Sequence, residues 1–410
     1  MLRTPEIPKR LPGSSVAHSM RERGPEVADV FSNSFEKVKA EYVTSPRTLT
    51  VASHIMDCRT AKMGAFVYEC ENCGSKLISY CSCRDRMCPK CQSEAHNEWI
   101  EKMEKVVLDC VHLHVVITVP ACLNPIALAN KELFYNVLFE VASMAVLILC
   151  RQEKNLGAVP GITAILHTWG QQLSFHPHVH LAVTAGGLTD DGRWVDAKRT
   201  TKGDIYLFPV KALAKIVKML FLKKLRRLKK KELLKFDDDG FRKIIRKAND
   251  RKWISYCKEP FKGSRGVFAY IGNYTHRSAI SNSRILSVTA DEVTFRYRDY
   301  RDHMQKKLTL KNEEFIRRFL MHVLKRGFVR IRHYGLYAVP NRKTKLALAR
   351  EKLAEARHQA TPVIKNEEVK KEVFFYRCPC CGGNMYRTTT SPYSGDALSR
   401  VEASLTPLPP

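Results

Sequence analysis

Phe175-His176-Pro177-His178-Val179-His180-Leu181-Ala182-Val183 is the stretch on which the reading of this chain turns. Side chains alternate across an extended strand, so His178 and His180 share one face, about 6.6 Å apart along the chain. Two imidazoles so placed can converge on one divalent ion. The pair alone is weak evidence, because His112-Leu113-His114 repeats its spacing on another predicted strand, and a satisfied core or surface histidine is the ordinary outcome. The second pair has company: His176 two residues earlier, His167 upstream, and two tyrosines downstream. If residues 161–184 form two antiparallel strands joined by a turn near Gly170, His167 falls opposite residues 176 to 178. Directly opposed residues lie on one face within about 5.5 Å. His176 is about 13 Å from His180 along a straight strand and needs a sharp bend at Pro177 to join it. His167 is therefore the preferred third ligand.

Outward from this stretch, strands and helices alternate in a mixed order that predicts an α+β chain. The β-branched run over residues 112–119, stopped by Pro120, predicts a buried strand. Residues 126–152 have helical apolar spacing, and residues 208–235 form a basic amphipathic helix with Leu213, Ile216, Val217 and Leu220 as its stripe. Asp237-Asp238-Asp239-Gly240 reads as an acidic loop. Further predicted elements are a helix over 264–277, strands over 285–288 and 293–298, a helix over 312–326 and a strand over 328–334. The Ser/Thr/Pro-rich tail after Met385 reads as disordered.

The chain has 410 residues, with 69 Lys+Arg against 41 Asp+Glu, a net charge of +28 that calls for a polyanionic partner. Ordinary hydrophobic content excludes disorder as the main state. The longest apolar run, residues 141–150, is short of the ~20 residues that span a bilayer, and no apolar signal core follows Met1, so a cytoplasmic chain with no membrane partner is expected. In a reducing compartment clustered cysteines read as metal ligands rather than disulfides. Cys70-x-x-Cys73 and Cys88-x-x-Cys91 match the spacing of a four-thiolate Zn²⁺ ribbon. Cys58, Cys81 and Cys83, with His54 and His96 nearby, are either a second zinc group or free thiols. Arg84, Arg86 and Lys90 would face nucleic acid. Cys378-Pro379-Cys380-Cys381 resembles one knuckle with no second knuckle after it, a remnant or a site completed from elsewhere. Cys110, Cys122, Cys150 and Cys257 read as core fillers.

Tyr270 and Tyr274 stand at i and i+4, on one face of a predicted helix, about 6 Å apart. A phenol of pKa ~10 is a poor nucleophile unless its developing charge is neutralised, which a metal beside the phosphate can do. A basic chain, a histidine metal pair and paired tyrosines together suggest transesterification on DNA. Two basic features suit phosphates: the run containing Lys223, Lys224, Arg226 and Arg227, and the alternating Arg330/Arg332 and Arg296/Arg298.

The segments over 161–170 and 176–180 resemble the HUH endonuclease core of rolling-circle insertion-sequence transposases, the two-tyrosine enzymes related to Helitrons. Residues 269–282 resemble their tyrosine motif, residues 328–335 are similar to a further family segment, and residues 82–92 resemble the family's N-terminal zinc-binding domain, with Met87 where members often have His. The resemblance implies a central antiparallel sheet flanked by helices. It implies that His178 and His180, with an upstream histidine such as His167, bind Mg²⁺ or Mn²⁺. It implies that Tyr270 and Tyr274 form 5′-phosphotyrosine links to single-stranded DNA in a bacterial, nucleoid-associated setting. The domains expected are an arm over 1–30, a zinc-binding domain over 31–105, the nuclease over 106–350, and a linker, lone cysteine knuckle and disordered tail over 351–410. A non-catalytic zinc-ribbon regulator also explains the charge and the cysteines but not the histidines and tyrosines.

Single-stranded DNA binding is expected to weaken steeply with salt, log K falling by about 0.7 per neutralised phosphate for each decade of salt. Fluorescence anisotropy titrations across a salt series measure the slope, and a flat response would assign the charge to a different partner.

Overall fold

Strands form on both sides of Gly170: Gly161–Trp169 and Phe175–Thr184 pair antiparallel. They belong to a five-stranded sheet ordered Ser255–Phe261, His112–Thr118, Phe175–Thr184, Gly161–Trp169, Ile331–Gly335, in which every neighbouring pair is antiparallel. This is a computed structural model, and it describes residues 24–43, 45–91, 103, 106–261, 279–299, 301–357, 376–389 and 391–403. The chain divides into two units, one from Met1–Glu94, Ile280–Arg317 and Asn366–Pro410, the other from Ala95–Ala279 and Arg318–Lys365.

The five-stranded sheet belongs to the second unit, and its two faces differ as strand alternation requires. Leu113, Val115, Ile117, Ile162, Ala164, Leu166, Val179, Leu181 and Val183 share one core with the helices Lys131–Cys150 and Val210–Lys230. Phe134 and Phe221 meet edge to face across those helices, with ring centroids 5.1 Å apart. Lys131–Cys150 is apolar and long enough to cross a membrane by composition, but 67% of its apolar window is buried inside the unit, so it serves as the core helix. The opposite face of the sheet carries the histidines. Ile165 and Ala182 on that face pack with Leu336, Tyr337 and Leu346. Gly161 is required there: a Cβ would lie 2.6 Å from the Tyr337 ring. The Tyr337 hydroxyl can thus reach His112 Nε2 at 2.8 Å and accept from the Leu108 N–H at 3.1 Å.

Asp237–Gly240 does not form a loop. Asp237 caps the helix Asp238–Asp250, accepting from the Gly240 N–H at 2.6 Å, and Asp238 and Asp239 occupy its first turn. Carboxylates there oppose the positive end of the helix dipole, so a charge run that looked like a break is a helix start. The predicted helix over 264–277, with Tyr270 and Tyr274, lies outside the described residues.

The first unit corrects the expectation of a disordered tail. Asn384–Arg387 pairs antiparallel with Ala65–Cys70, placing Cys70 opposite Met385, in a sheet ordered Tyr376–Arg377, Asn384–Arg387, Ala65–Cys70, Lys76–Tyr80. Helix Gly395–Ala403 follows. Met385 packs with Cys70, Leu77 and Cys378, and Leu398 packs with Ala65, Val67 and Ile78. Polar composition misleads here because two apolar anchors and one strand edge suffice to order the segment. A three-stranded sheet of Ile285–Val288, Glu292–Arg298 and Gln305–Lys311 belongs to the same unit.

His112 and His322 are fully buried. Burial, outweighing their hydrogen bonds to the Cys110 and Leu173 carbonyls, lowers each pKa to about 4. In the unfolded chain each binds a proton near pH 6.5. Between about pH 6.5 and 4 the unfolded state holds the extra protons, so stability falls as pH falls through that window. At pH 5 each is expected to cost about 2 kcal/mol relative to neutral pH. Urea midpoints at pH 7 and pH 5 measure this, and the difference is expected to shrink in H112N/H322N. Equal midpoints in the wild type would contradict it.

Candidate metal centre

Val179 and Leu181 lock the Phe175–Thr184 strand onto the core helices, which turns His178 and His180 to the other face. Register then brings in the third imidazole: His167 is paired directly with His178, and Ile165 with His180. One donor nitrogen from each of His167, His178 and His180 lies within 4.8 Å of the others. Ring centroids are 4.4 Å apart for His167 and His180, 4.9 Å for His178 and His180, and 5.3 Å for His167 and His178. His176 is not in this set. The register shifts near it: two residues from His167 to Trp169 face three from Phe175 to His178. This is a bulge at His176-Pro177, the kind of irregularity that re-aims side chains beside a site.

The outer contacts orient the rings. His178 Nδ1 lies 2.7 Å from the His176 carbonyl, so the N–H donates there and Nε2 keeps its lone pair for a metal. His114 Nε2 lies 2.7 Å from His180 Nδ1, with the two rings stacked nearly parallel. If Nδ1–H of His180 donates to His114, its Nε2 is likewise the ligand atom. Burial, helped by the neighbouring His176 and His114, lowers the His178 pKa to about 3, so the ring is neutral, the state a ligand needs. The donor chemistry therefore fits a divalent cation. Trp169 stacks on His167 at 5.1 Å, and the Arg330 guanidinium lies 5.4 Å above the Trp169 ring.

His114 carries no signal in the sequence that separates it from His112. The two have the same spacing as His178 and His180, yet one is a satisfied core histidine and the other contacts His180. Only the cross-strand register, which sets His114 opposite Ala182 and Val116 opposite His180, separates them.

The cysteines fall into two sets, which corrects the ribbon of Cys70, Cys73, Cys88 and Cys91. Cys88 and Cys91 converge with Cys58 and Cys83, whereas Cys70 and Cys73 converge with Cys378 and Cys381. A Zn–S bond of about 2.3 Å in a tetrahedron puts sulfurs about 3.8 Å apart, against about 2.05 Å in a disulfide. In the first set Cys58 and Cys91 Sγ are 3.5 Å apart, and Cys83 and Cys91 Sγ 3.7 Å. The spacing is that of thiolates sharing a zinc. Asp85, between Cys83 and Cys88, fixes that loop: it accepts from Arg47 at 2.7 Å and from the Met87 N–H at 2.9 Å, and contacts His54 Nδ1 at 3.2 Å. Burial alone would raise the Asp85 pKa, but those donors, Arg47 foremost, hold it below the usual value. His54 is thus tied to the site through Asp85. Cys81 joins neither set among the described residues.

Basic residues fare unequally. Lys223, Arg226 and Arg227 are exposed on the helix Val210–Lys230. Lys224 instead pairs with Glu140, and Lys90 with Glu26 at 2.8 Å. Arg330 and Arg332 do not present themselves to solvent as an alternating pair: the strand begins at Ile331, Arg330 is 8% exposed, and Arg332 stacks 4.3 Å over Phe139 and bonds Asn136. Planar guanidiniums pack well on aromatic rings, and that packing claimed both. Arg296 and Arg298 remain exposed.

A transposase family model, described as "Putative transposase", matches residues 161–345, and a "Transposase zinc-binding domain" of the IS91 type matches residues 30–119. A Sinorhizobium fredii protein described as "Putative transposase y4qJ" is 39% identical over 364 residues, covering 86% of this chain and 89% of that protein. The "Transposase for insertion sequence element IS801" of Pseudomonas savastanoi pv. phaseolicola is 29% identical over 347 residues, 82% of each chain. No solved structure matches. The chain belongs to the IS91-family rolling-circle transposases. It is thus a DNA-acting, strand-transferring enzyme with structural zinc in its N-terminal zinc-binding domain. The transposase match spans the three converging histidines and the tyrosine pair, whereas the zinc-domain match takes in Cys58 to Cys91 but not Cys378 and Cys381.

Replacing His114 with Ala is expected to weaken Mn²⁺ binding to the histidine centre by about 10- to 100-fold, the usual cost of losing a ligand's outer partner. Isothermal titration of Mn²⁺ into the zinc-loaded protein measures it, and wild-type affinity would exclude a role for His114 in positioning His180.

Proposed function

We propose that this transposase nicks and rejoins single-stranded DNA by tyrosine transesterification, with His167, His178 and His180 holding a catalytic Mg²⁺ or Mn²⁺ and with Tyr270 and Tyr274 as nucleophiles. The convergence of three buried imidazoles on one sheet face carries this reading. When bound, the ion supplies Lewis-acid polarisation of the scissile phosphate. An all-nitrogen donor set favours Mn²⁺, since Mg²⁺ prefers oxygen ligands.

The tyrosines supply the covalent step. The phenol oxygen of one tyrosine bonds to phosphorus, the P–O3′ bond breaks, the phenol proton is released, and the departing oxygen takes up a proton as a free 3′-hydroxyl. The link to the 5′-phosphate keeps the bond energy, so a 3′-hydroxyl can later reverse the step on another strand. Two nucleophiles permit two successive links, as replicative strand transfer in the bacterial cytoplasm, at the nucleoid, requires. Lys223, Arg226 and Arg227, exposed on one helix, are suited to the phosphate backbone of the DNA.

Incubation of end-labelled single-stranded DNA carrying an element end with Mn²⁺, followed by a denaturing gel, is expected to show a covalent protein–DNA band. Y270F/Y274F keeps the rings and removes both nucleophilic oxygens, so cleavage and adduct are expected to fall to background. Undiminished adduct in the double variant would refute the assignment, and cleavage without adduct in the wild type would indicate attack by water.

A further inference from the structure

We propose that Cys70, Cys73, Cys378 and Cys381 hold a second structural Zn²⁺, so that the first unit contains a zinc ribbon assembled from two knuckles 305 residues apart in the chain. The inference is independent of the reading of the histidine centre.

The two knuckles are built alike. Cys70-Glu71-Asn72-Cys73-Gly74-Ser75 and Cys378-Pro379-Cys380-Cys381-Gly382-Gly383 share the pattern Cys-x-x-Cys-Gly-small. In each, the glycine N–H donates to the carbonyl of the first cysteine, Gly74 to Cys70 at 3.0 Å and Gly382 to Cys378 at 2.9 Å. The first cysteine's own N–H donates to the residue after the glycine, Cys70 to Ser75 at 2.9 Å and Cys378 to Gly383 at 2.8 Å. Both glycines have left-handed φ, +69° and +72°. This is the tight turn that aims two thiolates and nearby backbone N–H groups at one point, and it occurs twice.

The hairpins then bring the two turns together. Cys70 ends one strand and lies opposite Met385, the Glu71 N–H donates to the Asn384 carbonyl at 3.1 Å, and the Tyr386 hydroxyl donates to Glu71 at 2.7 Å. Cys70 and Cys381 Sγ are 3.5 Å apart, and Cys73 and Cys378 Sγ 3.6 Å. These are the distances of sulfurs around one zinc and far from those of a disulfide. Each contact crosses between knuckles, so neither pair closes a site without the other. Cys380 sits within the second knuckle but outside the set and is exposed.

Cys380 serves as an internal control. In zinc-loaded, full-length protein, Cys73 and Cys381 are expected to alkylate on the order of tenfold more slowly than Cys380, although all three are exposed, because a metal-bound thiolate is withheld from the reagent. A chelator is expected to release Cys70, Cys73, Cys378 and Cys381 together. With the histidine centre removed by H178A/H180A, native mass spectrometry is expected to find two zinc ions when all cysteines are present and one when C378S/C381S or C70S/C73S is added. Labelling of Cys381 at the rate of Cys380 in the zinc-loaded wild type, or two zinc ions retained by C378S/C381S in that background, would overturn the proposal. The labelling arm uses the wild type and does not depend on the variants folding.

Discussion

The pairing of Gly161–Trp169 with Phe175–Thr184 is the constraint on which the rest depends. Its register is held by burial: Leu166, Val179 and Leu181 must face the helices, and a slip of one residue would turn them to the opposite side. The same register decides that His167, His178 and His180 meet. The core and the histidine centre are two faces of one set of backbone hydrogen bonds, so the centre is preorganised on a rigid sheet. The bulge at His176-Pro177 is the local exception, and it falls where the strand passes beyond the three converging histidines.

The surplus positive charge is divided between two uses. Some cations are committed inside the fold: Lys224 to Glu140, Lys90 to Glu26, Arg332 to the Phe139 ring, and Arg330 to the Trp169 ring. Others, including Lys223, Arg226, Arg227, Arg296 and Arg298, face solvent. The second group stays available to a phosphate partner, while the first shows that a basic residue in a motif is often committed to packing or ion pairing. Arginine is prominent among the packed cations because its flat, weakly hydrated guanidinium stacks on rings at less desolvation cost than an ammonium.

The zinc-binding unit is discontinuous in sequence. Thiolate–metal bonds are strong enough to replace the hydrophobic core that small hairpins lack, and the binding energy of such sites is folding energy. The four-stranded sheet that carries Cys70 buries only small apolar clusters, Ala65, Val67, Ile78 and Leu398 on one side and Leu77 and Met385 beside the cysteines on the other, which suits that arrangement. Packing of Met385 and Leu398 then carries the later segment onto the earlier one.

Much was legible from local pattern. The strand pair around Gly170, the apolar helix, the basic amphipathic helix and the α+β character follow from periodicity, which reports burial residue by residue. His167, His178 and His180 followed from alternation plus one assumed pairing, because cross-strand geometry is regular. What tertiary structure alone decided were choices between equivalent local signals. His112 and His114 are the same motif, and only the register of their strand makes one a core residue and the other a partner of His180. Cys70-x-x-Cys73 is spaced correctly for Cys88-x-x-Cys91, but sequence distance says nothing of which hairpin edge is open, and that edge accepted Asn384–Arg387 instead. Asp237–Gly240 and the tail after Met385 looked like breaks because composition averages over residues, whereas a single cap or a single buried methionine fixes a segment. Local chemistry set what each residue can do, and the register of distant strands set which residues do it together.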